Sequence, residues 1–378
     1  MNINEYLVQL ETLVNIDCGS HNAKGIHEVA QHLKRWYKEI GWHIKETAVK
    51  NGPVLEISNH PNCSHYDAMF IGHMDTVFQN GTVKKRPFKK EENKCFGPGV
   101  EDMKNGDLAM LHIAKEMGKE ELDKLNICMC YNPDEEISSR YSRNIIKAIA
   151  RKSDRVFVME SAQNNGAGHV FNRKGKTNYV LKFSGIEAHA GYMFEVENAS
   201  AIEEMGHYIV ELQNLKDEEK ETSVNVGVVN GGTTVNTVAG IARLEAEIRY
   251  HTMEERNRVI NHINHLIEKG PFVPKVKVEI EYFDETPPWV QTAEGWEYIN
   301  KVKEIADNLG IAFEERKRGG LSDANHLSTE CAIILDGMGP FGQFAHSERE
   351  YMTIDSVEQC VRLFVEVLRN LRSCEKTD

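Results

Sequence analysis

The 378-residue chain has no C-x-x-C pair, no long apolar run and no surplus of positive charge. Its eight cysteines are scattered, at 18, 63, 95, 128, 130, 331, 360 and 374, so reduced thiols in a cytoplasm are expected. Cys128 and Cys130 share one face of a strand-like run and read as packing residues. No apolar stretch approaches the roughly 18 residues that span a bilayer, so no membrane segment is expected. A formal net charge of −13 lacks the basic face that a general nucleic-acid binder needs. The opening "MNINEYLVQLETLV" has no basic start and carries Glu5 and Glu11. Leu7, Leu10, Leu13 and Val14 fall on one helical face instead, so this stretch reads as part of the fold rather than a signal peptide. There is no internal repeat and no low-complexity tract. What remains, 40% apolar and 27% charged residues, is an ordinary globular composition with enough material for one large domain or two.

Up to about residue 174 the pattern alternates between strand and helix. "YDAMFIGH", "NICMCYN" and "RVFVME" read as strands, with "DLAMLHIAKEM" and "SRNIIKAIARKS" as the helices between them. Such alternation predicts an α/β sheet covered on both faces, with ligand groups gathered beyond the carboxyl ends of its strands. Between about 175 and 285 the order becomes β-α-β-β-α-β. "IARLEAEIRY" is its cleanest strand, with Ala242, Leu244, Ala246 and Ile248 opposed to Arg243, Glu245, Glu247 and Arg249. After "DETPPWV" come a helix near 293–309, the strand "CAIILD" and a closing helix near 356–372. The expected organisation is a catalytic α/β domain (1–174 and 286–378) with a smaller α+β domain (175–285) inserted into it.

The chemistry-bearing groups sit where those strands end. In "IGHMDTVF", His73 and Asp75 are two apart, so a carboxylate is placed to orient an imidazole that binds a metal. Taken alone, that pair more often marks a structural loop. "FGPGVEDMKNG" lacks the third glycine of a dinucleotide fingerprint and presents Glu101 and Asp102 on a tight loop. Asp102 is either a ligand or a helix cap, and Asn105 is the better cap. "CYNPDEEISS" places Glu135 and Glu136 side by side just past a strand, with Asp134 read as loop structure. Two such acids suit cation binding and proton transfer, or simply a solvated turn. Glu160 closes the "RVFVME" strand, and His346 lies in "FGQFAHSE". Together these groups form an N/O donor set that suits zinc, with room for a pair of ions.

The motifs "GHMDTV", "GPGVEDMKNG", "PDEEISS", "SGIEAHAG", "GGTTVNTVA" and "RGGLSDANH", in that order, resemble those of the co-catalytic dizinc peptidase and amidohydrolase family. That family includes glutamate carboxypeptidase, aminoacylase, acetylornithine deacetylase, succinyl-diaminopimelate desuccinylase and peptidase T types. The resemblance runs from about residue 70 to 350 and implies a zinc-binding domain interrupted by a lid and dimerisation domain. It implies that His73 and Glu160 bind one zinc, that Glu136 and His346 bind the other, and that Asp102 bridges both. It makes Glu135 the general base, with Asp75 orienting His73. His189, in "GIEAHAG", would reach the partner's site in a homodimer, and Asn236, Arg249 and Arg318 would contact substrate. Arg249 shares its strand face with Arg243, Glu245 and Glu247, so a solvated face is its other reading.

The expected reaction is hydrolysis of an amide in a small carboxylate-bearing peptide or N-acyl amino acid. The cofactors are two Zn²⁺, for which Co²⁺ or Mn²⁺ could substitute. "GPGVEDMKNG" is similar to the glutamate carboxypeptidase branch, which puts removal of a C-terminal residue first. An N-acyl amino acid deacylase is the alternative within the family, and a non-catalytic metal-binding homologue the alternative outside its activities. Ser322 in "GGLSDA" is no hydrolase nucleophile, because the final glycine of G-x-S-x-G is missing.

Overall fold

Apolar periodicity divides the chain into elements that collect into two compact units, Met1–Phe171 with Gln291 onward, and Asn172–Val290. The computed structural model describes residues 1–162 and 167–371, so Cys374 lies outside the described residues. Among the described residues no helix is long and apolar enough to cross a membrane. The seven described cysteines form no disulfide, and Cys128 and Cys130 are fully buried in strand Ile127–Asn132.

The first unit is built on a mixed sheet. Its strand order is His43–Val49, Gly52–Ser58, Ile127–Asn132, Ala68–His73, Arg155–Val158, Ile333–Asp336 and Ala167–Arg173, with Phe313–Arg318 also paired to Ala167–Arg173. Ala68–His73 is fully buried and runs parallel to Ile127–Asn132 on one side and to Arg155–Val158 on the other. Strands apolar along their whole length belong at such a two-sided centre. The chain passes from Ala68–His73 to one neighbour and then back across it to the other, through helices Asn105–Glu116 and Arg143–Ala150. That reversal opens a crevice beyond the carboxyl ends of these three strands. The register His73↔Asn132 and Ile71↔Val158 brings His73 level with the start of the acidic loop and with the strand that precedes Glu160. The core is sealed by Phe70, Phe157 and Phe364, whose ring centroids lie 4.9–5.1 Å apart.

The second unit follows the β-α-β-β-α-β order. Strands Gly175–Ser184, Ser223–Gly231, Ile241–Tyr250 and Lys277–Thr286 form an antiparallel sheet, with helices Ala201–Gln213 and Met253–Lys269 in the chain order expected of them. Ala242, Leu244, Ala246 and Ile248 are buried against Tyr208, Leu212, Val259 and Ile263. The alternate residues Arg243, Glu245, Glu247 and Arg249 are half-buried on the other face. The sheet order is Ser223–Gly231, Ile241–Tyr250, Gly175–Ser184, Lys277–Thr286, which leaves Ser223–Gly231 on an edge.

Two features depart from the sequence reading. The hairpin His43–Val49/Gly52–Ser58 was not in it, although Asn51-Gly52 between two runs of β-formers is a strong turn signal. Neither Asp102 nor Asn105 caps helix Asn105–Glu116. The N-cap position is Lys104, without a side-chain bond, and Asn105 is the first helical residue. Asp102 has φ −121° and ψ 91°, well outside helical values.

Candidate metal centre

The strand-end loops of the first unit bring six ionisable side chains together. His73 is 1% exposed, and its Nδ1 lies 3.0 Å from the Asp75 carbonyl. Donation there leaves the Nε2 lone pair facing inward. That Nε2 is 3.1 Å from Asp102 Oδ1 and 3.6 Å from Glu160 Oε1. The second Asp102 oxygen, Oδ2, is 3.0 Å from His346 Nε2, which is itself 3.3 Å from Glu136 Oε2. Asp102 therefore stands between the two imidazoles, one oxygen toward each. Ligand atoms of His73, Asp102 and Glu136 lie within 4.8 Å of one another, as do those of His73, Glu135 and Glu160.

Asp75 organises the acidic loop as well as the histidine. Its Oδ1 accepts the Glu135 amide at 3.1 Å, and its Oδ2 accepts the Glu136 amide at 3.2 Å and the Ser20 hydroxyl at 2.6 Å. Asp134 is fully buried, and its Oδ2 accepts the Tyr141 amide at 2.7 Å, a loop-closing contact. Asn132 adds a second tie. Its Oδ1 accepts the Asp134 amide, and its Nδ2 donates to Ser139 Oγ at 2.7 Å and to Asp323 Oδ2 at 2.8 Å. Ser139 also donates to Asp323. A cavity of 390 Å³ opens beside Glu136, between residues 19–22 and 76–80.

Sequence reasoning missed Asp323, Asn132 and Glu350. Asp323 follows Ser322 in a helix start with a capping-box pattern, so locally it reads as an ordinary first-turn acid. Glu350 is 1% exposed and accepts three backbone amides of the loop that carries Asp102. Nothing local separates it from Glu348. Helix Asn105–Glu116 approaches so closely that a Cβ on Gly106 would lie 2.2 Å from the Met159 carbonyl oxygen, just before Glu160.

The other sequence-derived site residues lie elsewhere. Arg318 ends strand Phe313–Arg318 in the first unit. His189, Asn236 and Arg249 belong to the second unit. His189 pairs with Thr237, and the Asn236 carbonyl accepts the Ala190 amide at 2.9 Å, so these two residues share one small ladder. The Gly191 amide donates to His189 Nδ1 at 3.1 Å, which puts the proton of the neutral ring on the exposed Nε2. Arg249 makes a forked contact to Glu247, at 2.7 and 3.1 Å, along its own strand face.

A family model described as "Peptidase family M20/M25/M40" matches residues 69–370. The chain belongs to peptidase family M20/M25/M40. It is 25% identical over 375 residues to "Carboxypeptidase G2" of Pseudomonas sp. (strain RS-16), covering 96% of this chain and 88% of that protein. To "Succinyl-diaminopimelate desuccinylase" of Pelagibacter ubique it is 23% identical, covering 96% of each. The fold is similar to the crystal structure of aminopeptidase PepT from Bacillus cereus, with a TM-score of 0.78 at 19% identity, covering 98% of this chain and 99% of that one.

As an M20/M25/M40 member the chain is a metal-dependent hydrolase, and the electrostatics of the cluster fit a dinuclear site. Burial alone would lower the His73 imidazole, but bonds to Asp102, Asp75 and Glu160 outweigh it and hold the pKa well above the usual value. Hydrogen bonds to Asp102 and Glu136 push His346 up to about 11. Asp102 is held well below the usual carboxylate range, because bonds to His346 and His73 overcome its burial. Burial pushes Glu135 well up, with Glu160, Asp323 and Glu136 adding repulsion. Burial and the Asp102 charge raise Glu136 to about 7, and its Oε1 is buried without a hydrogen-bond partner among the described residues. The acids thus call for positive charge, which protons on two imidazoles supply when no other cation does. A neutral imidazole and carboxylates around a divalent ion satisfy the same demand, and the unpartnered Glu136 oxygen gains a partner.

Proposed function

We propose that the chain hydrolyses an amide bond in a small carboxylate-bearing substrate, as a carboxypeptidase-like exopeptidase with two zinc ions. The observation that carries this reading is Asp102, with one oxygen toward His73 and the other toward His346. In the proposed assignment His73 and Glu160 would hold one ion, Glu136 and His346 the other, and Asp102 would serve both. Such a pair supplies Lewis acidity, polarising the scissile carbonyl and making a water acidic enough to attack near neutral pH.

The remaining work falls to the chain's own side chains. Glu135 Oε takes the proton of the attacking water and returns it to the leaving amine. The hydrogen bonds that the Glu135 and Glu136 backbone amides donate to Asp75 hold it beside Glu136. Asp75 keeps the His73 proton on Nδ1, so that Nε2 remains a ligand. His189, with its proton on Nε2, would reach from one protomer into its partner's site and donate to the oxyanion that develops on the substrate there. Arg249 and Arg318 would hold the substrate carboxylate, a task suited to the planar fork of guanidinium, and Asn236 would contact the substrate.

The proposed assembly is a homodimer formed through the second unit. Strand Ser223–Gly231 has a single neighbouring strand among the described residues and so forms a sheet edge, with Val228 46% and Val229 51% exposed; Val210, on helix Ala201–Gln213, is 61% exposed. Light scattering checks this: Val229→Lys should release monomers.

Glu135→Ala tests the base assignment. It should retain both metals and lose about 10²–10⁴ in kcat; an active variant overturns the assignment. The similarity to a succinyl-diaminopimelate desuccinylase favours a second reading, N-acyl amino acid deacylation. A panel of acyl-amino acids, dipeptides and folyl-glutamate-like compounds separates the two, since a carboxypeptidase cleaves the last two classes and a deacylase the first.

A further inference from the structure

The Asp102 loop has little secondary structure to hold it. Gly97 and Gly99 have φ of 146° and 73°, and Asp102 and Met103 are non-helical. Five of its amides nevertheless have acceptors. The Val100 amide donates to the Gly97 carbonyl and the Lys104 amide to the Gly99 carbonyl. The other three converge on one carboxylate: Glu101 and Asp102 donate to Glu350 Oε1 at 2.9 and 3.2 Å, and Gly99 donates to Oε2 at 3.0 Å. Buried amides left without acceptors are costly, so this carboxylate determines where the loop rests.

Glu350 arrives from the segment that also carries His346. Strand Tyr351–Thr353 pairs antiparallel with Lys94–Phe96, with Tyr351 opposite Phe96, which places Glu350 over the start of the Asp102 loop. His346 and Phe344 sit on the same hairpin in left-handed conformations. The distance between Asp102 and His346 is therefore a distance between two loops that this side chain ties together. The His73 side is built differently. His73 ends a central strand, Glu160 follows the neighbouring one, and Asp75 secures the imidazole.

We infer that Glu350 is a positioning residue that sets Asp102 opposite His346, and so governs the affinity of the His346-side metal more than that of the His73-side metal. This rests on the dinuclear reading above. Glutamine at 350 has a single acceptor oxygen. Placed at Oε1 it keeps the Glu101 and Asp102 amides and turns its NH₂ against the Gly99 amide. Alanine loses all three bonds.

The test titrates zinc into metal-free wild type, Glu350→Gln and Glu350→Ala against a competing chelator, and records cobalt absorption spectra with His346→Ala as reference. Wild type should take two tight equivalents. Glu350→Gln should keep one within about threefold and bind the other about 10–100-fold more weakly, with Glu350→Ala weaker again. At one equivalent of cobalt the Glu350→Gln spectrum should match that of His346→Ala, a signature that general loosening of the fold would not produce. Should Glu350→Ala fail to fold, the glutamine variant carries the comparison. Two undiminished equivalents in Glu350→Gln, or equal weakening of both, overturns the inference. Fewer than two equivalents in wild type overturns the dinuclear reading and this inference with it. Two equivalents without turnover on the substrate panel overturns only amide hydrolysis.

Discussion

Replacing Asp75 by asparagine changes one atom of a fully buried side chain and removes an acceptor that cannot be replaced locally. The aspartate takes the Glu135 amide on Oδ1, and the Glu136 amide and Ser20 hydroxyl on Oδ2; His73 Nδ1 is 3.4 Å from Oδ1. Asparagine has one oxygen. If that oxygen takes the Oδ1 position, the NH₂ faces Ser20, whose hydroxyl can rotate to accept, and the Glu136 amide, which cannot. One buried N–H is then orphaned, a penalty of about 1–3 kcal/mol, and the surviving bonds lose their charge assistance. Removing a negative charge from an acidic cluster offsets part of this, because Asp75 repels Glu136, Asp107 and Asp134. The net expectation for metal-free protein is a loss of about 1–3 kcal/mol in denaturant unfolding. Zinc affinity should fall about 10–100-fold, since the loop carrying Glu135 and Glu136 and the orientation of His73 both depend on this carboxylate. Unchanged zinc affinity with an unchanged unfolding midpoint would show that the loop holds its place without Asp75.

Other perturbations test the surroundings of the site. Asp107 is fully buried, neither carboxylate oxygen has a hydrogen-bond partner among the described residues, and burial raises its pKa well above the usual range. The folded state holds that proton more tightly than the unfolded state, so the contribution is full below about pH 4 and declines as pH rises. Asp107→Asn should therefore stabilise metal-free protein by about 1–4 kcal/mol at pH 8 and by less at pH 5, as read by denaturation at both values. His112, bonded to Gln9 at 2.8 Å, is lowered to about 4 by burial and by Lys115. Its stabilisation is complete above about pH 6.5 and is lost as pH falls toward 4, amounting to at most ~3 kcal/mol, and His112→Gln should flatten the unfolding profile in that window. In the second unit, Glu255 is held down at about 2 by its bond to Arg258, opposing burial, with Lys220 and Thr222 as further donors. Its contribution is present above about pH 4.5 and lost as pH falls toward 2, so Glu255→Gln should lower stability at neutral pH by about 1–3 kcal/mol, with faster amide exchange in helix Met253–Lys269.

Much of the architecture was legible in the sequence because it depends on local periodicity. The alternation in "IARLEAEIRY" yields strand Ile241–Tyr250 with its apolar residues buried, and the run "YDAMFIGH" yields the central strand Ala68–His73. The insertion shows in the change from strand–helix alternation to β-α-β-β-α-β order. The strand-end positions of His73, Glu135, Glu136 and Glu160 follow from the same reading, because a charge that closes an apolar run can sit only at a sheet margin. Capping was misread around Asp102, where glycines and a non-helical kink override the local preference for an acid at a helix start.

By itself the sequence determined which segments are strands and helices, and which acids and histidines stand at their ends, since those properties reside in neighbouring side chains. Tertiary structure alone decided what holds them. Glu350 meets the amides of Gly99, Glu101 and Asp102 across some 250 residues of chain, and Asp323 meets Ser139 across 184. A buried carboxylate that accepts amides looks, in sequence, like any surface acid. Only the fold shows whether water or backbone N–H groups surround it, and that difference turns a cluster of repelling acids into an ordered site.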